Sequence, residues 1–442
     1  CINLHLALQQ LCGVAFSSTH KVSRYFRGLI GRRTELKAPS SISEERPKLE
    51  AAWVMSPIGG RYEDVGLFDF ASLYPNIILS NNFCYTTKCD GPGENILSLG
   101  NGTHWRQDKK GLLPSVVEEM LKLRKYYKQQ MKNATDDDEK LGYDMLQMAV
   151  KVSVNAIYGL TGMKRVGGMW VDYDIARSIT YKGRESIHML VAESEKQGYK
   201  ALAGHTDSAY IQVPYDKAEW LAQHLTDIAQ NNLDMKYLDV EWEAYFPYWI
   251  TAHETKNRNF GIKSYPLSEA GQMKVTGYEI KASYASQITK DIQETAFNLI
   301  CNGKEEDDVK SAIVPFVNNL YNGNTSINDI TSHARIQKDF KDYVSPTAAV
   351  QAAMYYNKYH ANKNDIIKKG ESVKWVYVNG VPNGQSSISF AAYKEENDLD
   401  DYSIDWYTVI EKLVTAKLKS VYEALGWNLQ AVVKDNRMKS YW

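Results

Sequence analysis

The chain has 442 residues, enough for about three domains, and its 44% hydrophobic and 24% charged residues are ordinary for a globular protein. A formal net charge of −1 excludes a basic protein that grips nucleic acid over its whole surface, so any such contact must come from local patches. The five cysteines, Cys1, Cys12, Cys84, Cys89 and Cys301, form no repeated C-x-x-C pair, which argues against a zinc ribbon or a disulfide framework. No apolar run is long enough to span a bilayer and nothing has the layout of a signal peptide, so an intracellular protein without membrane partners is expected. The chain opens on Cys1 rather than methionine and is expected to be a fragment of something longer.

Residues 1–13 read as a helix, and the polar, basic stretch 24–46, with Pro39 and then Pro47, as a connecting segment. A strand-rich stretch is expected from 51 to about 83. A long helix is predicted over 113–132, with Pro114 and Ser115 at its start. The acidic run 136–139 reads as a solvated turn, leading to a second helix over 141–158 that Gly159 ends. Two such helices joined by a short loop make a hairpin. Further helices are predicted over 174–197 and 217–231, and a strand over 240–250. From about 283 the pattern is mainly helical, with a strand pair near 373–378 and 387–391. There is no internal repeat and no low-complexity tract.

Two aspartates stand out. Residues 65–70 form a short apolar run that reads as a buried strand, with Asp69 at its end on the same face as Val65 and Leu67. An ionised carboxylate there is costly unless it meets a cation or hydrogen bonds. Residues 204–208 lie between the apolar stretches 199–203 and 209–213, which predicts a hairpin with Asp207 at its tip. Strand-borne carboxylates far apart in sequence suit a pair of divalent cations and hence phosphoryl transfer.

The helical hairpin adds cations. Arg124 and Lys128 are four residues apart and share a face, as do Lys151, Asn155, Tyr158 and Gly159 at i, i+4, i+7 and i+8. Converging cations suit a triphosphate, with arginine binding two oxygens at once and lysine acting as a point charge. Alone, this pattern reads better as a solvated helix face, with Lys122, Arg124, Lys125 and Lys128 beside Glu118 and Glu119.

Asp69-Phe70-Ala71-Ser72-Leu73-Tyr74-Pro75 resembles motif A (D-x-x-S-L-Y-P) of the family B DNA polymerases, and Lys151…Asn155…Tyr158-Gly159 resembles motif B. Residues 203–208 resemble motif C, usually Y-G-D-T-D-S, with His205 in place of the first aspartate. The resemblance covers residue 48 to the C-terminus. It implies an α+β right-hand polymerase fold: an antiparallel-sheet palm, helical-hairpin fingers and a mainly helical thumb. The implied boundaries are a remnant or linker over 1–48, palm over 49–112 and 166–285, fingers over 113–165 and thumb over 286–442.

The resemblance further implies template-directed DNA synthesis on a primer 3′-hydroxyl. Asp69, Asp207 and the Phe70 carbonyl would hold two Mg²⁺, with Mn²⁺ as an alternative ion. Ser72, Leu73, Tyr74, Arg124, Lys128, Lys151, Asn155 and Tyr158 would bind the dNTP, with Tyr74 under the sugar and Tyr158 near the nascent base pair. Gly159, Lys256 and Arg258 would meet primer–template DNA, the last two from a degraded form of the K-K-R-Y-A-G element. Surface charges on a turn are the plain alternative for that pair. Glu243 falls in a stretch resembling a palm strand, and its role stays open. His205 is read as a hydrogen-bonding turn residue, with metal ligation as the alternative.

Residues 49–52 match the family's Y-x-G-G poorly, and Gly277-Tyr278-Glu279-Ile280-Lys281 resembles G-x-E-x-x-R. The N-terminal exonuclease module of the family is expected to be absent from the chain, with a sliding clamp or separate exonuclease as partners. The short gap between motifs A and B favours an ordinary nucleic-acid primer. The competing classes are a catalytically silent, polymerase-shaped DNA-binding protein and a two-metal nuclease.

Overall fold

The computed structural model describes residues 2–19, 22–31, 49–163, 170–252, 258–361, 365–380, 389–429 and 432. The chain divides into two compact units. The first holds residues 1–55 and 66–243, and the second holds 56–65 and 244–442.

In the first unit, helices α1 (Ile2–Cys12) and α2 (Val22–Gly31) pack on a later helix, α5 (Asp137–Thr161). The expectation of a connecting segment from residue 24 is corrected here. Leu29 and Ile30 are buried, and that apolar end of the basic stretch gives the helix a face to bury. Gly28 lets α2 approach closely, because a Cβ there would fall 2.1 Å from the Cys12 carbonyl oxygen. Residues 32–48 lie outside the described part.

The sheet of this unit contains β1 (Val54–Met55), the end of β2 (Gly60–Phe70) from Gly66 on, β6 (Lys200–His205), β7 (Ser208–Gln212) and the start of β8 (Val240–Thr251), in the order β1-β6-β7-β2-β8. A separate small antiparallel sheet, β3 (Lys88–Cys89), β4 (Ile96–Ser98) and β5 (His104–Arg106), was not legible in the sequence. β2 buries four consecutive residues, Val65 to Phe68, so both of its faces are covered. Helix α3 (Leu73–Asn81) follows directly, where strand was expected. Its run Ile77-Ile78-Leu79 is too short for periodicity to separate helix from strand. Pro75 falls in its first turn, where a missing N–H removes no helical bond.

The hairpin of helices is formed by α4 (Leu112–Asn133) and α5. The acidic run 136–139 is no mere turn: Asp136 is the N-cap of α5, accepting from the Glu139 amide at 2.9 Å, and Asp137 to Glu139 form the first turn. Carboxylates there offset the positive end of the helix dipole. Two long helices, α6 (Tyr173–Lys196) and α7 (Tyr215–Asn232), complete the unit and pack together.

The second unit has its own cores, one of them built on α8 (Gln287–Cys301) and α9 (Glu306–Tyr321). The rest of β8 pairs with β9 (Asn259–Ile262), which pairs with β10 (Met273–Thr276). A three-stranded antiparallel sheet follows, β11 (Ser332–Arg335), β12 (Ser372–Tyr377) and β13 (Phe390–Tyr393). The expected strand pair gains β11 as a third member, a mixed tetrapeptide without alternation. Helical segments Trp406–Val409, Ile410–Thr415 and Ala416–Leu425 lie towards the C-terminus. Among the described residues no helix is long and apolar enough to cross a membrane.

Candidate active site

The predicted hairpin is present. His205 pairs with Ser208, so Thr206 and Asp207 form a two-residue turn between β6 and β7, with Thr206 at φ +57°. The Thr206 amide donates to the Trp53 carbonyl at 3.1 Å, which ties the turn to the segment before β1. Gly204 makes room for the same tryptophan, since a Cβ would come within 3.2 Å of its ring. The Phe70 amide donates to the Asp207 carbonyl at 2.8 Å. Main-chain bonding therefore brings the end of β2, with Asp69, beside the β6–β7 turn.

The carboxylates share one region. Burial pushes the Asp207 carboxyl above its ordinary value, and the nearby charge of Glu243 pushes the same way. His205 and Lys151 work in the opposite direction. Burial likewise raises the buried Tyr210 hydroxyl, with Glu243 and then Asp69 adding to it. The His205 ring is exposed and its Nδ1 lies 3.1 Å from the Thr206 hydroxyl, a bond within the turn. Among the described residues no group of three or more His, Cys, Asp or Glu side chains is placed to hold a metal ion.

After Asp69 the chain makes a tight corner. The Ala71 amide donates to the Asp239 carbonyl, and the Asn76 side chain donates to the Ala71 carbonyl at 2.7 Å. Ser72 sits in the left-handed region at φ +51°, a conformation uncommon outside glycine, and its hydroxyl accepts from Arg124 Nη1 at 3.2 Å. Leu73 is buried in the core, which leaves only its main chain to meet a ligand. The Tyr74 ring lies 4.4 Å from the Tyr158 ring, centroid to centroid. Burial raises the Tyr74 hydroxyl well above its ordinary value, Tyr158 and Asp207 add to this, and Arg184 opposes it.

Cations of the helical hairpin face the same region. Burial pulls the Arg124 guanidinium down, with Glu241 working against it. Lys128 is also pulled down, first by partial burial of its ammonium and then by the charge of Arg124, with Lys151 contributing. Lys151, Asn155 and Gly159 are exposed along one face of α5. Gly159 has no local steric need to be glycine, because a Cβ there would meet nothing within 4 Å.

Sequence reasoning missed Gln147, Glu241, Gly183 and Arg184. Gln147 Oε1 lies 3.5 Å from Arg124 Nε, and a Cβ on Gly183 would come within 3.1 Å of Tyr74 Cε1. Arg184 donates to the Glu50 and Ala51 carbonyls and pairs with the Glu50 carboxylate at 2.5 Å. It thereby holds the segment whose family match is poor. A glycine inside a 24-residue helix costs about 1 kcal/mol relative to alanine, and that was the one signal available for Gly183.

Arg258 belongs to the second unit, where its guanidinium lies 5.6 Å over the Tyr278 ring. Gly261 is required by packing there, since a Cβ would fall 2.5 Å from the Trp249 ring. Glu279 is buried; desolvation opposes its charge, but Lys417 and Gln293 hold its carboxyl below the ordinary value. Lys256 lies outside the described residues.

An antiparallel sheet with carboxylates at its strand ends, and a helical hairpin that carries cations, define a protein of mixed helix and sheet. The family model for DNA polymerase family B matches residues 26–421, and the chain belongs to that family. It is 26% identical over 435 residues to a DNA polymerase of Thermococcus gorgonarius, covering 95% of this chain and 53% of the relative. A DNA polymerase delta catalytic subunit of Caenorhabditis elegans is 35% identical over 181 residues, 37% of this chain and 17% of that protein. The fold is similar to that of the family B DNA polymerase from Pyrobaculum calidifontis, with a TM-score of 0.69 at 22% identity, over 96% of this chain and 54% of that one. The chain thus spans about half the length of the archaeal relative.

Proposed function

We propose that the chain carries out template-directed DNA synthesis, adding dNTPs to a primer 3′-hydroxyl in DNA replication. The observation that carries this reading is geometric: the Phe70 amide donates to the Asp207 carbonyl at 2.8 Å, which sets Asp69 beside the Asp207 turn, and Arg124 of the helical hairpin reaches the Ser72 hydroxyl at 3.2 Å, three residues beyond Asp69. Phosphate-binding and metal-binding groups then belong to one site. We assign palm to 49–112 and 166–285, fingers to 113–165, thumb to 286–442 and a remnant or linker to 1–48.

Asp69, Asp207 and the Phe70 carbonyl would hold divalent metal. Two carboxylates and a carbonyl are hard oxygen donors that suit Mg²⁺, and a carboxylate raised by burial is one that a cation relieves. When bound, the metals would lower the pKa of the attacking hydroxyl and neutralise the triphosphate. Arg124, Lys128 and Lys151 bind the triphosphate, and the Arg124–Ser72 bond keeps the guanidinium at the motif A corner. Asn155 lines the nucleotide pocket, Tyr74 lies under the sugar, and Tyr158 faces the nascent base pair. Gly159 leaves open space where template or primer can approach the helix. Arg258 contacts primer phosphate without reading sequence.

The test is primer extension on a labelled primer–template with dNTPs and Mg²⁺. Stepwise lengthening of the primer supports the reading. Tight binding of primer–template with no extension would make the chain a silent DNA-binding protein. Shortening of the primer without dNTP would make it a nuclease.

A further inference from the structure

Gly183 has no conformational reason to be glycine. It is buried inside α6 and its φ is not in the left-handed region. Its reason is spatial. An added Cβ would come within 3.1 Å of Tyr74 Cε1, and 3.8 Å of Tyr74 Cδ1 and Ile77 Cδ1. The first of these is tighter than nine in ten real Cβ contacts, so one neighbour would have to move by a few tenths of an ångström.

The helix is the less free of the two. Arg184, next in sequence, is bonded to the Glu50 and Ala51 carbonyls and the Glu50 carboxylate, and α6 is packed against α3, α5, α7 and β6. Tyr74 is half-buried, and a ring turns about two single bonds more easily than an anchored helix shifts.

We propose that Gly183 is a positioning residue for Tyr74: its missing side chain is the space that seats the Tyr74 ring against α6, and thereby sets the choice between deoxyribo- and ribonucleoside triphosphates. The proposal rests on the polymerase reading and on Tyr74 lying under the sugar. Tyr158 supplies a second contact to the ring, from α5. A Cβ at residue 183 displaces the ring from the place these two helices give it.

The experiment is single-turnover insertion of a matched rNTP and dNTP opposite one template base. It compares wild type, Gly183→Ala, Tyr74→Ala and the double variant. If Gly183 acts through the ring, Gly183→Ala shifts the rNTP:dNTP ratio by about threefold or more when Tyr74 is present, and by less than about 1.5-fold when it is absent. An equal shift in both backgrounds, or no shift in either, overturns the proposal. An unchanged ratio in Tyr74→Ala alone also overturns it, while leaving the polymerase reading intact. Absence of any dNTP insertion by wild type overturns the polymerase reading itself, and this one with it. Should Gly183→Ala fail to fold, restored folding in the double variant supports the contact, and failure of both variants to fold overturns it.

Discussion

The carboxylates and the cations of the site are held by different means. Asp69 and Asp207 stand on strand ends joined by a main-chain bond of 2.8 Å, and the turn carrying Asp207 is tied again to Trp53. Arg124, Lys128 and Lys151 stand on helix faces at the ends of long side chains, and Lys128 and Lys151 are exposed. Backbone bonding fixes a carboxylate to within the stiffness of a sheet, while a long cation keeps several rotamers until something binds it. The carboxylate half of the site is thus preorganised, and the cation half is adaptable. That division suits the proposed polymerase site, which would accept four different nucleotides at one reacting centre.

Removing a strand-end carboxylate is the severest way to break this contrast. Asp69→Ala or Asp207→Ala is expected to lower the primer-extension rate about a thousandfold or more, with affinity for primer–template largely kept. Retention of more than a few per cent of wild-type rate in single-turnover extension would contradict the role of the strand ends.

A related variant sharpens the comparison through stability. Burial raises the Asp207 carboxyl, so folding favours its protonated form; that contribution is complete in acid and is lost as pH rises through the raised value. Asp207→Asn is therefore expected to melt at a higher temperature than wild type near neutral pH, with the gain vanishing in acid. Calorimetry of the metal-free proteins across that range checks it.

The helix-face cations should give smaller effects. On the proposed reading, Arg124→Ala and Lys151→Ala would each remove a charge-assisted phosphate contact, worth about 1.5–3 kcal/mol, or about 10–150-fold in kcat/KM for dNTP. Arg124→Lys should recover only part of this, because a point charge does not reproduce the fork that reaches Ser72. Steady-state kinetics unchanged in both alanine variants would mean the face is only solvated.

Legibility in the sequence follows the same division. The β6–β7 turn and the two-helix hairpin were readable because their signals are local: Gly204 and Asp207 between apolar runs, and the helix start at Pro114 and Ser115 with the stop near Gly159. Helix α3 was not, because Ile77 to Leu79 reads equally as strand, and what decides is the corner at Ser72. The partners of the site were least legible. Gln147 and Glu241 near Arg124, and Gly183 under Tyr74, act across the fold, and no spacing rule links residue 183 to residue 74.

The smallest expected effect concerns two helices held only through side chains. Glu193 on α6 accepts from Gln197 at 2.9 Å, lies 2.9 Å from the His224 ring on α7 and pairs with Lys196 at 3.1 Å. His224 in turn stacks on the exposed Trp220. The bond to His224, then that to Gln197, brings the Glu193 carboxyl down to about 2. A carboxyl lowered by folding stabilises the fold above its unfolded value, and that contribution is lost as pH falls through the folded one. Its partners reach solvent, so the contribution is about 1 kcal/mol rather than the larger figure a fully buried pair would give. Glu193→Gln should therefore unfold at lower urea concentration than wild type at pH 7, with an unchanged slope. The gap between the two should close as pH is lowered from about 5 towards 3. A gap that stays constant over that range would mean the helices are joined by apolar packing, with the carboxylate only a bystander.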